Sequence, residues 1–197
     1  MFWKDEKGTR LGNFTNLKNH LARNKTKLLF ATNAGMFNKS FAPQGLYIEK
    51  NKVLKEIDTN NGNENFYLKP NGVFYITNTN EAIVCNTTDF QTTTTVKYAT
   101  QSGPLLVHKG KIHAAFNQNS TNLNVRNGVG VLPNGHVVFA MSKSPINFYE
   151  FAKYFLDLGC KEALYLDGFV SRTYLPEKKW VQTDGNFGVM IGVTSKS

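Results

Sequence analysis

A chain of 197 residues, 41% hydrophobic and 13% aromatic, can bury roughly 70% of the surface its unfolded form exposes, which excludes a disordered chain or one held together by staples. Its two cysteines, Cys85 and Cys160, stand far apart and in no metal-ligand spacing. Neither a disulfide framework nor a zinc site is expected, and both read as small buried apolar residues. The net charge of +9 favours anionic partners, but the lysines are scattered and no helix carries a basic stripe interleaved with aromatics. That argues against nucleic acid and leaves a phosphate-bearing small substrate as an account of the sign.

The first residues, from Met1 to Gly8, contain no apolar stretch, and nowhere do about 18 apolar residues run together, so neither a signal peptide nor a membrane span is expected. As written the chain reads as cytoplasmic, or as exported if a leader has been removed. Residues 13–25 space Phe14, Leu17, Leu21 and Ala22 in helical steps. The apolar run 28–32 then stops at Asn33-Ala34-Gly35, a buried strand delivering a polar turn. Residues 45–49 and 52–57 flank Lys50-Asn51 as a hairpin, and 66–76, broken at Pro70-Asn71-Gly72, reads as another. After a strand at 81–85, the threonine-rich stretch 87–95 suits an exposed strand or extended loop. Segments 98–108 and 111–115 bracket the turn Lys109-Gly110, and 127–133 with 136–141 form a hairpin around Asn134-Gly135.

A strong helix follows, with Ser144 as N-cap, Pro145 at its first position, Phe148, Phe151, Ala152, Phe155 and Leu156 on its apolar face, and Gly159 at its end. The strand 162–167 comes next, expected as a parallel step that aims Asp167 out of a strand end, and 187–194 supplies the last strand. No linker, repeat or low-complexity segment interrupts the chain. The pattern predicts one α+β domain over 1–197, a mixed, mostly antiparallel sheet with two packed helices.

Four segments place polar side chains beside glycine at or inside strongly apolar strands: 33–38, 101–104, 126–130 and 166–172. Glycine there lets the backbone approach a ligand or adopt positive φ, and neighbouring amides can cradle anionic oxygens. Each segment alone is better read as a simple turn.

Together they carry a resemblance. The blocks F-A-T-N-A-G-M-F-N (30–38), G-L-Y-I-E (45–49), L-K-P-N-G-V-F (68–74), A-T-Q-S-G-P-L-L-V (99–107), R-N-G-V-G-V (126–131), L-Y-L-D-G (164–168) and F-G-V-M-I-G-V (187–193) are similar, in this order, to those of the phosphodiester glycosidase family. The resemblance covers essentially the whole chain. It departs at the carboxylate turn, where Asp167-Gly168-Phe169-Val170-Ser171 stands in place of the D-G-G-G-S of animal members and is similar to a compact bacterial or phage branch. Bacterial relatives also carry strand-forming residues ahead of the Phe2-Trp3-Lys4-Asp5 segment. Were such a strand missing, an open sheet edge would make pairing with a second copy an expectation.

What the resemblance implies is hydrolysis of the bond between a sugar's anomeric carbon and phosphate. An ordinary glycosidase uses two carboxyls, one of which protonates a poor leaving group. A phosphodiester leaves as a stable anion, so cationic or amide donors can replace that acid. Asp167 is accordingly expected at the anomeric carbon, as nucleophile, base or stabiliser of oxocarbenium charge. Arg126 is expected to grip the phosphate in bidentate fashion, helped by amides near Gly103 and Gly128. Asn33, Gln101, Ser102 and Ser171 would orient hydroxyls or phosphate oxygens, Phe37 would stack on the sugar, and Gly35 and Gly168 would let the backbone come close.

The alternatives are that Asp167 caps its own turn and that Arg126 is a structural ion-pair partner. Asp184 is the best candidate for a second carboxylate, but turn-forming Asp-Gly is the better account of it. His20, His108, His113 and His136 read as surface or packing residues. No metal motif occurs and no cofactor is expected. Two further functions compete with the hydrolase: a module that captures a sugar-phosphate or nucleotide-derived ligand without cleaving it, and polyanion binding through the basic surface, which would weaken steeply with salt.

Overall fold

The computed structural model describes residues 1–196 and, of Phe169, the backbone only. In chain order the strands are β1 Thr26–Asn33, β2 Tyr47–Glu49, β3 Lys52–Lys55, β4 Gly72–Thr77, β5 Ala82–Asn86, β6 Val96–Ser102, β7 Leu105–His108, β8 Lys111–Ile112, β9 Asn127–Val131, β10 Val137–Met141, β11 Ala163–Tyr165, β12 Thr173–Leu175, β13 Trp180–Val181 and β14 Met190–Lys196. The helices are α1 Phe14–Arg23 and α2 Phe148–Asp157. The strands form three sheets, ordered β13-β12-β1-β14, β10-β9-β11-β7-β8 and β3-β2-β6-β4-β5. Every ladder among the described residues is antiparallel.

The main core lies where the second sheet faces the third. Leu105, Val129 and Leu164 from one meet Tyr47, Phe74 and Val84 from the other, joined by Ala34 and Leu166. The other face of the second sheet is covered by α2, whose Phe151, Ala152 and Phe155 pack with Leu106, Val107, Ala163 and Tyr165. Helix α1 covers the first sheet with Phe14, Leu17 and Leu21, its start fixed by Asn13, which accepts the Asn16 amide at 2.8 Å. Each such fully buried large apolar side chain contributes about 1.5–3 kcal/mol.

Four expectations are corrected in detail. Helix α2 begins at Phe148 with Asn147 as its cap, accepting the Glu150 amide at 2.9 Å. Ser144 and Pro145 precede it because Ile146 is held extended by a two-way bridge to Asn124, at 2.9 and 3.1 Å. Residues 66–76 are not a hairpin. A 3-10 turn, Asn65–Tyr67, leads through Pro70 and the buried Asn71, whose Nδ2 donates to the Phe66 carbonyl at 2.8 Å, into β4, which pairs with β5. Segment 98–108 is two strands in different sheets, parted at Gly103-Pro104, where proline has no amide to extend the ladder. Finally, β10 and β11, joined through α2, run in the same direction, but β9 lies between them and pairs antiparallel with both, so no parallel ladder forms.

Candidate active site at four converging turns

The four polar turns meet at one place. Strand β1 ends at Asn33, β6 at Ser102, β9 begins at Asn127, and β11 leads through Leu166 to Asp167. Backbone bonds join these ends: Asp167 N–H donates to the Ala34 carbonyl at 3.1 Å, Leu166 N–H to Asn127 at 3.0 Å, and Tyr165 N–H to Pro104 at 3.1 Å. Gly35 N–H donates to Thr100 Oγ1 at 3.2 Å. A methyl group on Gly35 would overlap the Gln101 carbonyl, so the turn closes only because position 35 has no side chain.

Side chains then lock the carboxylate turn at both ends. Asn33, 1% exposed, donates through Nδ2 to the Asp167 carbonyl and accepts the Arg172 amide on Oδ1 at 3.1 Å. Asn127 donates to Thr32 Oγ1 and the Asn33 carbonyl, both at 3.3 Å. Its Oδ1 faces Ser171 Oγ at 3.2 Å. The Ser171 hydroxyl also lies 3.2 Å from the Gly168 carbonyl and 3.3 Å from that of Val125; with one proton it serves one acceptor at a time. Asp167, half-buried, is thus carried on a segment pinned before and after it.

Arg126 is the largest fully buried side chain of the described residues, 1% exposed. Its guanidinium lies 3.6 Å from the centre of the Phe148 ring. Nε donates to the Ile146 carbonyl and Nη2 to that of Asn122, each at 2.8 Å, and Nη1 approaches Tyr165 Oη at 3.5 Å. In this arrangement the guanidinium holds main-chain carbonyls, not the fork expected from the sequence. It is a buried cation that takes part in none of the ion pairs found among the described residues. Burial lowers its pKa from the ordinary arginine value, with Tyr165 opposing the shift.

The other expected site residues divide sharply. Gln101 is fully buried and commits its whole amide to the fold. Oε1 accepts the Leu46 and Asp58 amides at 2.9 Å each, and Nε2 donates to the Asp58 carbonyl at 2.6 Å. Ser102, on the opposite face of the same strand, has a buried hydroxyl with no partner among the described residues. Gly103 and Gly128 are needed for packing, since a methyl group would stand 2.6 Å from the Phe66 carbonyl at the first and 2.9 Å from the Leu164 carbonyl at the second. Phe37 stacks on Phe41, ring centres 5.4 Å apart, and lines a groove of about 660 Å³ with Lys39, Lys55, Asp58 and Tyr67.

Residues not singled out from the sequence also belong here. Tyr165 sits inside the L-Y-L-D-G block, two positions before the carboxylate, and Asn127 adjoins Arg126. Arg172 holds Asp184 through Nε at 2.8 Å and Nη2 at 2.7 Å, which gives Asp184 a role in bracing the 171–172 turn. No group of three or more His, Cys, Asp or Glu able to hold a metal occurs among the described residues. Nor does any helix among them have the length and apolarity to cross a membrane.

The chain is 34% identical over 176 residues to the uncharacterized protein YigE of Escherichia coli K12, covering 89% of this chain and 68% of that protein. It shares its fold with the zebrafish N-acetylglucosamine-1-phosphodiester alpha-N-acetylglucosaminidase catalytic domain auto-inhibited by its pro-peptide, at a TM-score of 0.56 and 18% identity over 85% of this chain. The chain spans 62% of that structure's length. The family model described as phosphodiester glycosidase matches residues 26–193, a span that contains every turn of the site, and the chain belongs to the phosphodiester glycosidase family.

Proposed function

We propose that the chain is a hydrolase that cleaves the bond between a sugar's anomeric carbon and phosphate in a glycosyl phosphodiester or related sugar-phosphate. The observation that carries this reading is the pairing of one carboxylate, on a segment clamped by Asn33, with a buried guanidinium that takes part in none of the ion pairs found among the described residues. A substrate phosphate supplies negative charge opposite that guanidinium. Its departure as a stable anion needs no second carboxyl acid, in keeping with the single carboxylate among the converging turns.

In this mechanism Asp167 faces the anomeric carbon, as nucleophile, as base for water or as stabiliser of developing positive charge. Arg126 acts from beneath the site, where low dielectric strengthens its attraction for the leaving phosphate. The Ser102 hydroxyl, unpartnered in the protein, is available to a ligand oxygen, and Phe37 offers a ring face to a sugar. Asn33, Asn127, Ser171 and Gln101 hold these groups in position, and Gly35, Gly103, Gly128 and Gly168 allow the close approach.

The test is release of reducing sugar from a panel of glycosyl phosphodiesters and nucleotide sugars in the presence of chelator, with N-acetylglucosamine 1-phosphodiesters first. Asp167→Asn is expected to abolish turnover while keeping ligand affinity, and unchanged turnover would remove Asp167 from the mechanism. Release from no member of the panel would replace the hydrolase by a sugar-phosphate binding module.

A further inference from the structure

Tyr165 stands between the buried cation and the carboxylate turn. Its ring is fixed edge-on against Phe148, with centres 4.7 Å apart, and its backbone is held in register opposite Gly128. The residue is 3% exposed, and Arg126 Nη1 approaches its hydroxyl at 3.5 Å. In that contact the phenol oxygen accepts, which leaves its own proton to be donated elsewhere.

Position 168 explains where the hydroxyl is directed. A methyl group on Gly168 would overlap Tyr165 Oη, so the phenol lies directly against the backbone of the Asp167-Gly168 turn. Burial also raises the phenol's pKa above its ordinary value, as does Asp167, with Arg126 opposing them. At neutral pH the group therefore stays protonated and can donate. A donor backed by a guanidinium suits an ionised oxygen, where the hydrogen bond is charge-assisted.

We propose that Tyr165 is a phosphate-positioning residue whose hydroxyl, backed by Arg126, donates to a phosphate oxygen of the ligand beside Gly168. It conveys the influence of a cation that is itself too buried to reach the ligand. The inference rests on the site reading above and adds the group that holds the phosphate.

The experiment is calorimetric titration of the full chain with inorganic phosphate, for wild type, Tyr165→Phe, Arg126→Lys and the double variant, alongside the turnover panel. Tyr165→Phe keeps the ring packing and removes only the hydroxyl. It is expected to weaken phosphate binding roughly 10-fold or more, and Arg126→Lys is expected to weaken binding in the wild-type background but to add little once the hydroxyl is gone. Wild-type affinity in Tyr165→Phe, losses that simply multiply in the double variant, or a wild type that binds no phosphate at millimolar concentration would each overturn the inference. Where Arg126→Lys does not fold, Tyr165→Phe decides alone. Turnover by wild type with undiminished phosphate binding in Tyr165→Phe sinks this inference and spares the hydrolase. Phosphate held through Tyr165 with no turnover of any substrate does the reverse.

Discussion

Replacing Asn33 by alanine removes the clamp on the carboxylate turn. The side chain is 1% exposed and serves two main-chain groups at once, the Asp167 carbonyl through Nδ2 and the Arg172 amide, at 3.1 Å, through Oδ1. Alanine orphans both. Each lost bond to a buried group costs up to about 1–3 kcal/mol, and because both of these are only part-buried, water recovers some of the loss. The expected loss is about 2–4 kcal/mol, a large share of the roughly 5–15 kcal/mol that stabilises a typical domain. Urea unfolding followed by far-UV circular dichroism measures that total. Hydrogen exchange across residues 167–175 tests its origin, since the Arg172 amide should lose protection more than its neighbours. Asn33→Asp keeps the acceptor but sets a carboxylate oxygen against the Asp167 carbonyl, and should be at least as damaging at neutral pH. A loss for Asn33→Ala below about 0.5 kcal/mol, with the Arg172 amide still protected, would refute the reasoning.

Gly128→Ala places a methyl group 2.9 Å from the Leu164 carbonyl and 3.2 Å from Phe151 Cε1. Because the first is backbone, overpacking of about 1–3 kcal/mol is expected, and an unchanged melting temperature would contradict it. The Arg172 guanidinium holds the Asp184 carboxyl below the usual carboxylate range. A depressed folded-state pKa gives stability that is present above the unfolded value and is lost as pH falls through the folded one. The stability difference between wild type and Asp184→Asn should therefore be present at neutral pH, vanish in acid below the usual Asp range, and shrink with added salt. A difference that ignores both pH and salt would discount the pair. Burial pushes the Cys85 thiol up to about 12 and also raises that of Cys160, so at pH 8 iodoacetamide should label neither in the folded chain and both after denaturation. Rapid labelling of folded Cys85 would be inconsistent with this environment.

Much of the fold was legible because local chemistry and tertiary context agree. Asn13 ahead of Phe14, Leu17 and Leu21 marks both the start and the buried face of α1, and Asn134-Gly135 marks the β9–β10 hairpin. The misreadings came where a distant partner decided the outcome. Ser144-Pro145 is a sound local start signal for a helix, but Ile146 is taken by Asn124, some twenty residues away, and the cap moves to Asn147. Likewise, the helix before β11 correctly implied two strands of the same direction. That β9 inserts between them depends on pairings that no local pattern reveals.

At the site, strand periodicity carries more information than the polarity of the turns alone. Gln101 and Ser102 are neighbours on one strand, so their side chains leave opposite faces and cannot both meet the same ligand. The structure divides them accordingly, with the Gln101 amide wholly engaged around Asp58 and Leu46 and the Ser102 hydroxyl buried without a partner. The same alternation sends Asn127 toward Thr32 and Asn33 while Arg126 turns toward Phe148 and Tyr165. A polar residue at the end of an apolar strand therefore has two possible employers, the neighbouring main chain or a ligand. Among the described residues of this site most are claimed by the main chain, and in the proposed mechanism the substrate meets a smaller set of groups, Asp167, the Tyr165 hydroxyl and the Ser102 hydroxyl, the last buried without a partner among the described residues.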